Sequence, residues 1–251
     1  LDLYVCQFMI KWVSAPPVAF NQWLTLYLNK VNPLSPLSAA DPMSFSTPRP
    51  YLKNHKLHDF NDSLRKEKRI VESGEHLSVI HQLNIELQKR LNVRIDYETF
   101  EDNYGTDSVS LFKNKAGVDA TFNLIHMETG ESKEFTLDYK FRDPNAKWDD
   151  FLAETVSQDF VRFNSRKPIV PGWAICNHKI NDAILYILPY HKKAALVRRK
   201  DLKNGFDKNR FPLDPWRRKI AKNKGWDTIS YVIDWDRLKK VCPSTIVFDY
   251  E

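Results

Sequence analysis

Apolar and polar residues alternate along two neighbouring stretches of the chain. Phe135, Leu137, Tyr139 and Phe141 are interleaved with Thr136, Asp138, Lys140 and Arg142, and Val118, Ala120, Phe122 and Leu124 with Asp119, Thr121 and Asn123. A period of two is the mark of a half-buried strand, and the polar segment from Met127 to Ser132 predicts a hairpin between the two. Burying both apolar rows together fixes the register to steps of two. A tight turn at Thr129-Gly130 pairs position 128 with 131, which sets Asp119 opposite Lys140 and diagonal to Asp138.

Helical spacing governs the segment before the hairpin, where Leu77, Ile80, Leu83, Leu87 and Leu91 recur on one face. Val93, Ile95 and Tyr97 then alternate with Arg94, Asp96 and Glu98, predicting a strand, and Glu101 to Ser108 reads as an acidic exposed loop. After the hairpin, Asp143-Pro144 ends the strand because proline cannot continue a central ladder. The run from Trp148 to Phe163 is expected as a helix with Phe151, Leu152, Thr155, Val156 and Phe163 facing the sheet. Pro168 to Trp173 is a turn-rich connection. Ala183 to Leu188 is almost wholly apolar and predicts a strand buried on both faces, with Ala194, Leu196 and Val197 as its neighbour. Asp201 is expected to cap a short helix, followed by loop where Pro212, Pro215 and Gly225 interrupt the chain. Ile229 to Trp235 is a further strand, Asp236 to Lys240 a helical turn, and the tail an edge strand.

The first 42 residues differ from the rest. Their only strongly charged groups are Asp2, Lys11, Lys30 and Asp41, and their prolines include Pro16-Pro17, Pro33, Pro36 and Pro42. Residues 1–50 are therefore expected as an apolar, Pro-rich arm and linker that docks on a protein partner or on a second copy, and residues 51–251 as the main domain. With 251 residues, 42% hydrophobic and 13% aromatic, the chain has the means to bury a sizeable core. No segment has the unbroken apolar length needed to cross a bilayer, and the start, from Leu3 to Val13, is interrupted by Gln7 and Lys11 and lacks a basic leader. Cys6, Cys176 and Cys242 are odd in number and far apart, giving neither a disulfide framework nor a zinc spacing, so an intracellular setting is expected.

Charge is unevenly distributed. From His191 to Lys224 thirteen Lys or Arg stand against Asp201, Asp207 and Asp214, a local net of +10 in a chain whose total is only +6. Lys192, Lys193, Arg198, Arg199, Arg217, Arg218 and Lys219, together with Trp216, are the candidate contacts to a nucleic acid, cations for phosphates and the ring for unpaired bases.

The hairpin carries the candidate chemistry. Two carboxylates at about 4 Å repel by about 4 kcal/mol in an effective dielectric near 20. Lys140 offsets part of this, and a hard divalent cation would offset more, because Mg²⁺ takes one or two carboxylates plus water. Such a cation activates water and neutralises phosphate charge, while a lysine ammonium stabilises the transition state. The chain holds three acid-x-Lys triplets, Glu131-Ser-Lys133, Asp138-Tyr-Lys140 and Asp201-Leu-Lys203, and only the middle one has an upstream strand Asp in a suitable register.

Asp119 followed 19 positions later by Asp138-Tyr139-Lys140 resembles the active-site signature of the PD-(D/E)XK nuclease superfamily, with Val118 where that pattern has proline. The resemblance covers about residues 69–200. It implies an α/β fold with a restriction-endonuclease-like core, a mixed central sheet flanked by helices, here with an N-terminal extension, and metal-dependent hydrolysis of DNA, RNA remaining open. It implies Asp119 and Asp138 as ligands of Mg²⁺ or Mn²⁺ and Lys140 as charge stabiliser. Glu75 on the first helix is the further acid, with Glu72 the runner-up, and Glu154 and Gln158 support the metal-bound water or the lysine. The alternatives are a catalytically inactive nucleic-acid-binding module of the same fold, and an assembly protein of a nucleoprotein particle or virion. His178 and Asp182 are read as structural.

Overall fold

The computed structural model describes residues 69–103, 113, 116–161, 167–211, 214–223 and 225–251. The arm and linker expected over residues 1–50 lie outside the described residues, as does Phe163. The described residues belong to the compact unit 56–251.

Helix α1 (Glu75–Leu91) buries Val79, Ile80, Leu83 and Leu87 on one stripe. It ends at Asn92, whose left-handed φ of 56° turns the chain into β1 (Val93–Asp102), running back along the helix. Asn84, buried on the stripe, is satisfied by accepting the Ile95 N–H at 2.7 Å. β1, β2 (Ala120–His126) and β3 (Ser132–Phe141) then form an antiparallel meander.

The hairpin register differs from the expected one by two residues. Ala120 faces Leu137 and Ile125 faces Ser132, so the line through the pairs sets Asp119 beside Asp138 rather than beside Lys140. The cause is the loop. His126 and Glu131 close a four-residue turn in which Gly130, with φ 69°, donates to the His126 carbonyl at 2.9 Å, where a two-residue turn was expected. A shift of two preserves every face assignment.

β6 (Ala183–Leu188) lies parallel to β3, and β7 (Lys193–Arg198) and β10 (Ile246–Asp249) complete a six-stranded mixed sheet in the order β1-β2-β3-β6-β7-β10. All six residues of β6 are buried, as its unbroken apolar run predicts. α1 covers one face of this sheet.

The other face is covered differently from the expectation. Residues 148–161 do not form a helix: β4 (Phe151–Asp159) is a strand of a second, four-stranded sheet in the order β5-β4-β9-β8, with β5 Val170–Pro171, β8 Arg218–Lys222 and β9 Asp227–Ile233. Phe151, Ala153 and Thr155 are buried at period two, and Phe151, Thr155 and Val156 fit a strand as well as the helix they suggest. Pairing with β9 decides between the two readings. β8 likewise occupies part of the segment expected as loop. Helices α2 (Arg199–Asp207) and α3 (Trp235–Val241) complete this layer. Asp201 lies in the first turn of α2 and does not cap it; the cap position is Arg198, and Asp201 accepts from the Ser244 hydroxyl at 2.5 Å.

The two sheets share one core. Phe151 and Ala153 of β4 and Ile233 of β9 pack with Ile184, Tyr186, Ala195 and Val197 of the larger sheet and with Leu202 and Leu238 of the helices. Burial of Phe151 alone contributes about 1.5–3 kcal/mol. The Tyr186 hydroxyl accepts the Leu152 N–H at 3.1 Å, a polar tie between the layers. No helix among the described residues is long and apolar enough to cross a membrane.

Candidate active site

Asp138 and Lys140 project from the face of β3 opposite Tyr139, because strand side chains alternate. Tyr139 turns toward α1, where its ring meets His76 edge-on at 5.9 Å. On their own face Asp138 and Lys140 neighbour Ile184 and Tyr186 of β6, at the margin of the core between the two sheets. Asp138 is 1% exposed. The Lys140 ammonium donates to Asp138 Oδ1 at 2.5 Å and to the Tyr139 carbonyl at 3.0 Å, and stands 6.0 Å from the Trp173 ring centroid.

Asp119 precedes β2. Its N–H donates to the Leu137 carbonyl at 2.7 Å, and its Oδ2 accepts the Tyr139 N–H at 2.7 Å. The side chain is thereby held against the β3 backbone with its carboxyl within hydrogen-bonding range of Asp138. Burial pushes the Asp119 carboxyl up to about 7. The Lys140 charge and the Tyr139 N–H pull it down, but the neighbouring Asp138 raises it further. When both are ionised, the pair therefore carries more buried negative charge than Lys140 offsets. Asp138 Oδ2 is buried and receives no donor.

These residues fit a divalent cation. They offer two adjoining carboxylates, one with an oxygen that no protein donor satisfies, and the surplus charge is of the sign a cation neutralises. Among the described residues no group of three or more His, Cys, Asp or Glu converges on one point. A cation here would be held by two carboxylates, with water for the remaining positions.

Glu154, expected on a helix, enters from β4. Burial raises its carboxyl; Ser157, the Lys140 charge and the Trp173 N–H lower it, and Asp138 raises it again. It is close enough to feel both members of the β3 pair. Gln158 lies farther along β4, paired with Val170 at the edge of the second sheet. Glu75 is not joined to the trio. Its carboxylate accepts from Lys192 Nζ at 2.9 Å and from the Tyr250 hydroxyl at 3.2 Å, in the first turn of α1, where the helix dipole also favours an acid. The next residue, His76, is the one that reaches β3, and its Nε2 is 2.7 Å from Asp102 Oδ2. Glu72 lies one turn earlier and is exposed.

The sequence did not indicate Trp173 or the buried contacts of Arg199. Arg199 is 6% exposed and does not face solvent. Its guanidinium donates to the Trp173 carbonyl at 2.8 Å and to the Cys176 carbonyl at 2.5 Å, fixing the loop whose indole stands over Lys140, and its charge also reaches Asp138. Gly172 allows that loop to approach: a Cβ there would lie 2.3 Å from the Glu154 carbonyl oxygen. Asp182 is structural, accepting both the N–H and the hydroxyl of Thr136 at 3.0 Å. His178 lies against the Cys176 sulfur.

The other basic residues expected at a nucleic acid differ in their surroundings. Lys192 is engaged by Glu75 and Lys193 by Asp149, while Arg198 is half-buried among the charges of Asp182 and Asp201. Arg217 pairs with Asp234 at 2.9 Å and lies against the Trp216 ring, Arg218 is half-buried, and Lys219 is exposed. Comparisons with protein-family models, with curated proteins and with solved structures find no match to this chain.

Proposed function

We propose that this chain is a divalent-cation-dependent nuclease of the PD-(D/E)XK kind, hydrolysing phosphodiester bonds in DNA. The observation that carries the reading is the meeting of Asp119, Asp138 and Lys140, with an Asp138 oxygen left without a donor and Asp119 pushed toward neutrality. The order of helix, three-stranded meander and parallel strand β6 adds support, although a strand of the second sheet stands where such cores carry a helix.

Asp119 and Asp138 would hold Mg²⁺ or Mn²⁺, which when bound supplies Lewis acidity and a more acidic water. Lys140 stabilises negative charge on the phosphate as water adds to phosphorus and the ester P–O bond breaks. Its ammonium is set by Asp138 and the Tyr139 carbonyl. Glu154 acts as a positioning residue through its charge on Lys140, and Arg199 holds the Trp173 loop above them. The test is cleavage of labelled single-stranded, double-stranded and branched DNA with Mg²⁺, with Mn²⁺ and with chelator. Metal-dependent cleavage that Lys140→Ala abolishes supports the reading; metal-independent cleavage, or none, removes it.

A further inference from the structure

Trp148 and Trp216 are 66% and 70% exposed, an unusual state for the largest apolar side chain. Each is accompanied by a cation. Lys219 Nζ stands 5.9 Å from the Trp148 ring centroid, and the Arg217 guanidinium lies 4.3 Å from that of Trp216, itself anchored by Asp234. Trp148 belongs to the connection from β3 to β4, and Trp216 and Arg217 immediately precede β8.

The Trp148–Lys219 pair is linked to the strand that carries Asp138 and Lys140 through Asp150. Arg142, just past the end of β3, continues the alternation of Asp138 and Lys140, roughly 13 Å from Asp138 at the rise of a strand. It pairs with Asp150 at 2.6 Å, and the Lys219 charge also acts on Asp150. Ion pairs thus run from Asp138–Lys140 through Arg142–Asp150 to Lys219, which ends on an exposed indole.

We infer that Trp148 and Lys219, with Trp216 and Arg217, form a stacking platform for the unpaired bases of single-stranded DNA whose backbone passes Asp138 and Lys140. The inference takes the nature and course of the strand from the nuclease reading above and narrows its substrate to DNA with unpaired nucleotides beside the reacting phosphate. The reason is geometric. Bases inside a duplex have both faces occupied by their neighbours, so an exposed indole finds a free π-face on an unpaired base, while the adjoining cation meets its phosphate.

The experiment measures binding of the full chain, in chelator so that nothing is cleaved, to a labelled oligo-dT strand, to a strand of equal length with abasic sites at its centre, and to a blunt duplex. Trp148→Ala is expected to weaken oligo-dT binding about tenfold, Trp148→Phe to restore most of it, and both to leave duplex and abasic-strand affinity unchanged. Oligo-dT should also quench indole fluorescence more than the abasic strand does. Equal affinity for the two strands in the wild type, or no change in oligo-dT binding by Trp148→Ala and Trp216→Ala, would overturn the platform. Base-dependent binding without cleavage under any metal would leave it standing and remove the nuclease; cleavage without base-dependent binding would do the reverse.

Discussion

Asp119 Oδ2 accepts the backbone N–H of Tyr139 at 2.7 Å, so the first carboxylate of the site is fixed by the main chain of the strand that carries the second. The bond draws Asp119 against Asp138 although burial and like charge both disfavour two ionised groups there. The fold thus holds in place an arrangement that is electrostatically unfavourable when both carboxylates are ionised.

That tension predicts a pH dependence. The folded-state pKa of Asp119 is raised from 3.8 to about 7, so the folded chain holds this proton more tightly than the unfolded chain. Its contribution is fully present below about pH 4 and lost as pH rises through about 7, on the order of a few kcal/mol at most. The urea midpoint of metal-free protein should fall between pH 5 and pH 8, Asp119→Asn should flatten that fall, and Mg²⁺ at pH 8 should raise the wild-type midpoint. A wild-type profile as flat as that of Asp119→Asn would contradict the assignment.

Arg199 is expected to act on stability and not on DNA affinity. Arg199→Met leaves the Trp173 and Cys176 carbonyls without their donor, costing about 2–4 kcal/mol. The dependence of DNA binding on salt should not change. Lys219→Ala should do the opposite, leaving stability within about 0.5 kcal/mol while lowering the salt slope by roughly 0.7–0.9. Denaturant titrations and binding across a salt series separate the two.

Gly172→Ala forces a methyl group onto the Glu154 carbonyl, a backbone atom with little room to move. Stability should fall by about 1–3 kcal/mol, as for overpacking elsewhere. Because the displaced loop carries Trp173, cleavage should fall at temperatures where the variant is still folded. Circular dichroism melts alongside cleavage rates check both effects.

Where local periodicity decided the structure, the sequence was legible. The helical spacing of Ile80, Leu83 and Leu87, the alternation around Phe122 and Tyr139, and the apolar run of β6 each had one stable solution, although Leu77, expected on the same face, is exposed and the buried Val79 was not counted there. Phe151 to Asp159 had two, and only the partner strand β9, some seventy residues away, chose between them. The hairpin register turned on whether Gly130 closed a loop of two or four residues, which the alternation does not encode. The faces of Asp138 and Lys140 survived that error because the shift was even. Arg199 looked like its basic neighbours, since nothing local marks an arginine whose acceptors lie in a loop 23 and 26 positions earlier. Trp148 was absorbed into a helix that does not form.

In the proposed nuclease, Asp138 holds the catalytic cation. Changing Asp138 to Asn keeps the shape of the side chain and removes its charge, so the most direct measurement compares wild type and Asp138→Asn for cleavage and for DNA binding in Mg²⁺. Cleavage should drop by two orders of magnitude or more, about 3 kcal/mol in the barrier, while binding stays the same or tightens from lost repulsion. Equal cleavage by the two proteins, or equal binding with no cleavage by either in Mg²⁺ or Mn²⁺, would contradict it.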